Sequence, residues 1–147
     1  MRTFLLALAV VAAAAGCSKS STTTTASPAE SATPVPAASG VAVHTATNGT
    51  LGTILVDANG RTLYVFDKDK SGAIACVDPC TGTWPPLTTA GPLASPAMSG
   101  LGTVHRPDGG TQVTYKSRPL YRYSGDTKAG DTNGDGVGGI WHAAKAS

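Results

Sequence analysis

The order of apolar and polar positions divides the chain into three stretches. Phe4 to Ala15 is an unbroken apolar run of 12 residues, behind Arg2 and ahead of Gly16. Twelve helical residues rise about 18 Å, short of a hydrocarbon core of about 30 Å. The pattern predicts a cleaved secretory signal over residues 1–16 and not a membrane span. Ser18 to Ser39 follows with almost nothing but Ser, Thr, Ala and Pro, and Lys19 and Glu30 are its only charges. With no apolar period and nothing to bury, residues 17–40 are predicted to form a disordered tether. A flexible coil of that length spans roughly 25–30 Å. From Val41 onward the period shortens to two, and the remaining residues, 41–147, form the folding part.

The elements predicted there are β. Val41 and Val43 alternate with small or polar residues. Leu51 to Asp57 reads as a strand, Ala58-Asn59-Gly60 as a turn and Thr62 to Phe66 as the returning strand. An Asn-Gly pair between β-rich runs is a strong hairpin signal. Further on, Leu101 to Arg106, Thr111 to Tyr115 and Pro119 to Tyr123 are strands separated by turns at 107–110 and 116–118. Gly139 to Ala143 adds a closing strand. No 3.6-residue period appears outside the signal.

A shift of the sequence by 57 positions brings rare residues onto each other. Arg61 meets Arg118, Leu63-Tyr64 meets Leu120-Tyr121, Phe66 meets Tyr123 and Asp69 meets Asp126. Gly82 and Trp84 meet Gly139 and Trp141, so both tryptophans coincide. Two copies of one supersecondary unit are expected, near 41–90 and 98–147. Three or four strands in each copy predict an all-β domain, a small sandwich or partly closed barrel.

These residues carry a resemblance. Tyr64-x-Phe66-x-x-Asp69 and Tyr121-x-Tyr123-x-x-Asp126 resemble the Tyr-x-aromatic-x-x-Asp signature of a family of bacterial secreted-repeat lipoproteins. Cys76-x-x-x-Cys80, Trp84-Pro85-Pro86-Leu87 and Gly138-Gly139-Ile140-Trp141 are similar to it as well. The resemblance covers roughly residues 41–145. It implies export, frequent lipid anchoring, a repeat architecture and a function that is not established. Separately, Ala14-Ala15-Gly16-Cys17 resembles the bacterial lipoprotein box, which implies a lipid on Cys17. The expected address is the cell envelope, on the outer face of the cytoplasmic membrane or on the outer membrane, with the membrane as partner through Cys17.

Charge and cysteine content narrow the chemistry. Net charge is +2, and Arg2 leaves with the signal. Phosphate binding needs a clustered basic face, so nucleic acid is not an expected partner. Three cysteines are an odd number for an exported chain. A lipidated Cys17 leaves Cys76 and Cys80 as a pair, which an oxidising compartment favours as a disulfide. The same pair could instead serve redox chemistry or hold Cu(I). His142 is then the best additional ligand, ahead of His44, His105 and Met98. Asp131-x-Asn133-x-Asp135-Gly136 matches the first half of a calcium loop, but position twelve is His142 where a Glu is needed. A Gly-rich turn is the simpler expectation there.

On a strand, residues i and i+2 share a face. Tyr64 and Phe66 therefore point together, as do Tyr121 and Tyr123, either into a core or onto a flat-ligand shelf. Asp69 and Asp126 can accept turn N–H groups or a tyrosine hydroxyl. No nucleophile elbow, zinc-protease helix, Walker loop or dinucleotide fingerprint occurs. The sequence thus leads to a lipid-anchored envelope protein that presents a β-repeat binding or structural module without a predicted cofactor. The alternative is an envelope redox or copper-handling protein built on Cys76 and Cys80.

Overall fold

A computed structural model describes residues 40–70, 72–95 and 98–147. The signal, Cys17 and all but the last residue of the tether lie outside the described residues. In chain order the strands are β1 (Val43–Asn48), β2 (Gly52–Asp57), β3 (Tyr64–Phe66), β4 (Leu101–His105), β5 (Thr111–Tyr115), β6 (Arg118–Pro119) and β7 (Trp141–Ala143). One helical turn, α1 (Cys80–Thr83), and a 3₁₀ turn at Val137–Gly139 complete the set. The fold is all-β, with three small antiparallel sheets ordered β1-β2, β3-β7 and β4-β5-β6. The sheets do not close into a barrel.

Local chemistry sets the turns. Asn48 Oδ1 accepts the N–H groups of Thr50 and Leu51, both at 3.0 Å, and folds β1 back onto β2. Asp57 Oδ1 does the same for Asn59 and Arg61 after β2, while Gly60 takes φ 75°. The expected strand from Gly139 starts two residues later, at Trp141. Gly138 and Gly139 adopt φ 60° and 68°, outside the extended region and open to glycine without strain. The expected strand over Pro119–Tyr123 is also shortened. Tyr121 forms single bridges to Tyr64 and Pro86, and Arg122 N–H donates to Pro85 O; the two prolines have no N–H to extend a ladder on their side.

The repeats are spaced in two registers. From Arg61 onward equivalent residues are 57 apart. The hairpins before that point are 58 apart, because three residues (58–60) separate Asp57 from Arg61 and only two (116–117) separate Tyr115 from Arg118. Leu55 thus corresponds to Val113, and Asp57 to Tyr115.

Neither repeat closes on itself. β7 of the second repeat pairs with β3 of the first, with Tyr64 opposite Ala143 and Phe66 opposite Trp141. Reciprocally, Leu87 N–H donates to Leu120 O at 2.9 Å, and Arg122 N–H to Pro85 O at 2.8 Å. At the centre Tyr64 and Tyr121 exchange both backbone hydrogen bonds, at 2.8 and 2.9 Å.

Two cyclic triads of backbone hydrogen bonds follow from this exchange. Leu55 donates to Ala144, Ala144 to Leu63 and Leu63 back to Leu55, at 2.8, 2.8 and 2.9 Å. Val113, Leu87 and Leu120 repeat the cycle at 2.8, 2.9 and 2.9 Å. Each triad takes two residues from one repeat and one from the other. All six side chains belong to one buried apolar cluster, together with Val43, Val65 and Tyr115. Strand alternation sends Ile54, Val56, Tyr64, Phe66, Tyr121 and Trp141 the other way, into a second, aromatic cluster. Burying each large apolar side chain contributes roughly 1.5–3 kcal/mol. The repeat interface is therefore also the core of the molecule.

Candidate functional site

The repeat-motif residues converge in the aromatic cluster. Trp84 and Trp141 stack face to face, with centroids 3.8 Å apart and planes 4° apart. Phe66 stacks on the far side of Trp141 at 4.2 Å, and Tyr123 covers Trp84 at 4.4 Å. The result is a four-ring column, Phe66–Trp141–Trp84–Tyr123. Each tryptophan also meets a tyrosine edge-on, Tyr64 on Trp84 at 5.6 Å and Tyr121 on Trp141 at 5.2 Å. Such pairs contribute about 0.5–1.5 kcal/mol each beyond their buried area.

The tyrosine hydroxyls cross between repeats. Tyr64 donates to Asp126 Oδ2 at 2.6 Å, and Tyr121 to Asp69 Oδ2 at 2.8 Å. Each aspartate uses its second oxygen for its own loop. Asp69 Oδ1 accepts Ala75 N–H at 2.7 Å, and Asp126 Oδ1 accepts Asn133 N–H at 3.0 Å. Gly134 N–H approaches the Tyr64 hydroxyl at 3.2 Å. A Cβ on Gly134 would lie 2.8 Å from the Tyr64 ring, so only glycine fits.

A shelf for a flat ligand needs an open ring face. Phe66, Trp84 and Trp141 are buried at 8, 5 and 4 % exposure. Tyr123 is half-buried, with Trp84 on one side and Gly125 against its ring. The column is packed as a core.

Burial, and then the facing carboxylates, push both phenols upward: Tyr64 opposite Asp126, and Tyr121 opposite Asp69. A native pKa above the unfolded value of about 10 means that the folded chain holds its proton longer. The stability contributed by these phenols is intact below about pH 10 and falls as pH rises beyond it. In an alkaline absorbance titration, at least two of the four tyrosines should stay neutral until near-UV circular dichroism reports unfolding. Reversible ionisation of all four in the still-folded protein would contradict this arrangement.

A second polar network is centred on Arg106. Arg106, 6 % exposed, donates Nε to Asp108 Oδ1 at 2.7 Å and Nη1 to Gln112 Oε1 at 2.6 Å. Its Nη2 reaches Cys76 O at 3.0 Å, and Gln112 Nε2 donates to Leu120 O at 2.8 Å. Arg106 holds the Asp108 carboxyl below the usual range. The second hairpin is thereby tied to the cysteine loop of the first repeat. Arg106 carries no signal in the sequence that distinguishes it from a surface charge.

Cys76 and Cys80 are joined in a disulfide, with Cα atoms 5.3 Å apart. Closing so short a loop contributes roughly 2 kcal/mol, enough to pin a local segment. Cys76 is fully buried beside the aromatic column. His142 projects from the other face of β7, with Nε2 3.1 Å from Asp67 Oδ2. His44 and His105 are exposed elsewhere, and Met98 packs against the first cluster. The structure therefore does not bring the cysteines and histidines together.

The calcium-loop candidates are dispersed over three separate contacts. Asp131 Oδ2 accepts the N–H groups of Thr127 and Lys128, each at 2.9 Å. Asn133 Nδ2 donates to Asp126 Oδ1 at 3.2 Å, and Asp135 Oδ1 accepts Ala143 N–H at 2.8 Å. Among the described residues no three His, Cys, Asp or Glu side chains are grouped to hold a metal. Nothing in this geometry supports the redox or copper alternative.

A family profile described as a secreted repeat of unknown function matches the chain twice, over residues 45–88 and 102–145. The two matches are displaced by the same 57 positions as the motif residues. No curated protein and no solved structure matches the chain.

Proposed function

The chain belongs to the family of secreted repeats of unknown function, and from that premise we propose that it is a lipid-anchored module of the cell envelope with a binding or structural role. One observation carries this reading. The motif side chains Tyr64, Phe66, Asp69 and Trp84, and their partners Tyr121, Tyr123, Asp126 and Trp141, are spent on holding two repeats together. The family signature then specifies a rigid double unit, and the outward surface is left for recognition. Export agrees with the apolar run Phe4 to Ala15 and with the disulfide, which persists in oxidising compartments. A lipid on Cys17 would hold the chain at a membrane, and residues 18–39 would set the folded part off the surface. The module acts without a resident cofactor.

Metabolic labelling with an alkyne fatty acid tests the anchor. The full chain should take up label and partition with membranes. Cys17→Ala should lose the label and appear in the soluble exported fraction. Label retained by Cys17→Ala, or none on the full chain, would overturn the anchor.

A further inference from the structure

Nine of the eleven Lys and Arg residues lie in the described part, and three of them rim one cleft of about 420 Å³. Lys116 comes from the turn between β5 and β6, Arg118 from the start of β6, and Lys145 from the segment after β7. The floor is apolar: Val65, Ala143 and Ala144. The volume falls within the usual range for small-molecule sites.

The equivalent place in the other half of the molecule is built differently. There Arg122 stands for Val65, and Asp57 for Tyr115. Arg122 Nε donates to Asp57 Oδ2 at 2.7 Å, and Asp57 is buried. Burial pushes the Asp57 carboxyl up, but Arg122 and the N–H groups of Arg61 and Asn59 outweigh it and hold the group below the usual range. That half supplies its own carboxylate to its own cation. In the cleft, Val65 and Tyr115 bring no charge and the cations stay on the rim. Asp67 engages Arg118 and His142, at 2.9 and 3.1 Å, and Asp135 accepts the Ala143 N–H. Lys116 Nζ donates to Ser147 Oγ, and among the described residues neither Lys116 nor Lys145 forms an ion pair.

The backbone under Lys116 adds a separate observation. Lys116 and Ser117 form the two-residue turn with φ 48° and 63°, a left-handed conformation that glycine or asparagine adopts more readily. The corresponding turn of the first repeat contains Asn59-Gly60. The second repeat thus keeps a lysine at the cleft rim against its backbone preference, as strained residues at functional positions do.

We propose that this cleft binds a small organic carboxylate, with its apolar part on Val65, Ala143 and Ala144 and its charged group between Lys116 and Lys145. The proposal deepens the binding role suggested above and does not depend on the lipid anchor. Amide chemical shifts of the ¹⁵N-labelled full-length protein, titrated with 4-phenylbutyrate, 4-phenylbutanamide and inorganic phosphate, test it. The carboxylate should shift Lys116, Ala144 and Lys145 saturably, and the neutral amide and the phosphate should bind more weakly. Lys116→Gln with Lys145→Gln should weaken the carboxylate roughly tenfold while leaving the remaining spectrum folded. No saturable shift, equal binding of the amide, equal binding of phosphate, or an unaffected double variant would each overturn the proposal. Failure here with successful labelling at Cys17 would leave an anchored structural module.

Discussion

Trp141→Ala is expected to remove about 3–5 kcal/mol of folding stability, the range for truncating a fully buried aromatic residue. Trp141 is 4 % exposed and lies between two rings, Trp84 at 3.8 Å and Phe66 at 4.2 Å. Its removal deprives both of a stacking partner and Tyr121 of its edge-on contact. The backbone around it cannot collapse freely, because β7 is registered against β3 and Ala144 closes a hydrogen-bonded triad with Leu55 and Leu63. The cavity should therefore persist. Domains of this size are stable by about 5–15 kcal/mol, so this one truncation threatens the fold. Trp84→Ala should cost a similar amount, since Trp84 holds the equivalent place with Tyr123 and Tyr64. Trp141→Phe keeps the stack and should cost clearly less. Denaturant unfolding of the three variants measures this. A loss below about 1 kcal/mol for Trp141→Ala would mean that the column does not hold the molecule together.

Much of this core was legible in the sequence, for definable reasons. Rare residues in two copies, Trp84 with Trp141 and Tyr64 with Tyr121, exposed the repeat. Alternation along Leu63-Tyr64-Val65-Phe66 placed two side chains on each face, and both faces are buried. The turn at Asn59-Gly60 and the strand Thr111–Tyr115 followed from turn chemistry and a period of two. The returning strand, however, keeps only a bridge between Val56 and Thr62 and pairs as β3 with β7 instead of β2. The identity of the partners was not legible. Tyr64 and Asp69 stand five residues apart, and a sequence cannot tell whether the tyrosine meets that aspartate or the one at position 126. The crossed pairing is decided by where β7 and the Trp84–Leu87 segment lie, which is a property of the assembled chain. The change from 58 to 57 in repeat spacing was hidden because the hairpins before Arg61 share a pattern and few identities. α1 is a single turn and too short to show a helical period. The rim of the cleft emerged only when Lys116, Arg118 and Lys145, from two separate segments, came together on one surface.

Reciprocal exchange between the repeats makes a definite demand on the chain that links them. Gly91 and Pro92 are exposed in the connection between Leu87 and β4. A protease site inserted between them leaves Cys76 and Cys80 on the same fragment, so no covalent bond joins the two halves after cutting. The halves would then be held only by non-covalent contacts, among them β3 with β7, the Tyr64–Tyr121 and Leu87–Leu120 backbone bonds, the crossed Tyr64–Asp126 and Tyr121–Asp69 pairs and the Trp84–Trp141 stack. Each fragment alone would expose the aromatic column and lose a strand partner, so neither should persist as a folded unit. The folded full-length protein carrying this site should be cut to completion and then examined by native mass spectrometry. Both fragments in one folded particle, separable only in denaturant, is the predicted result. Two fragments that part under native conditions, or that each remain folded alone, would contradict the account.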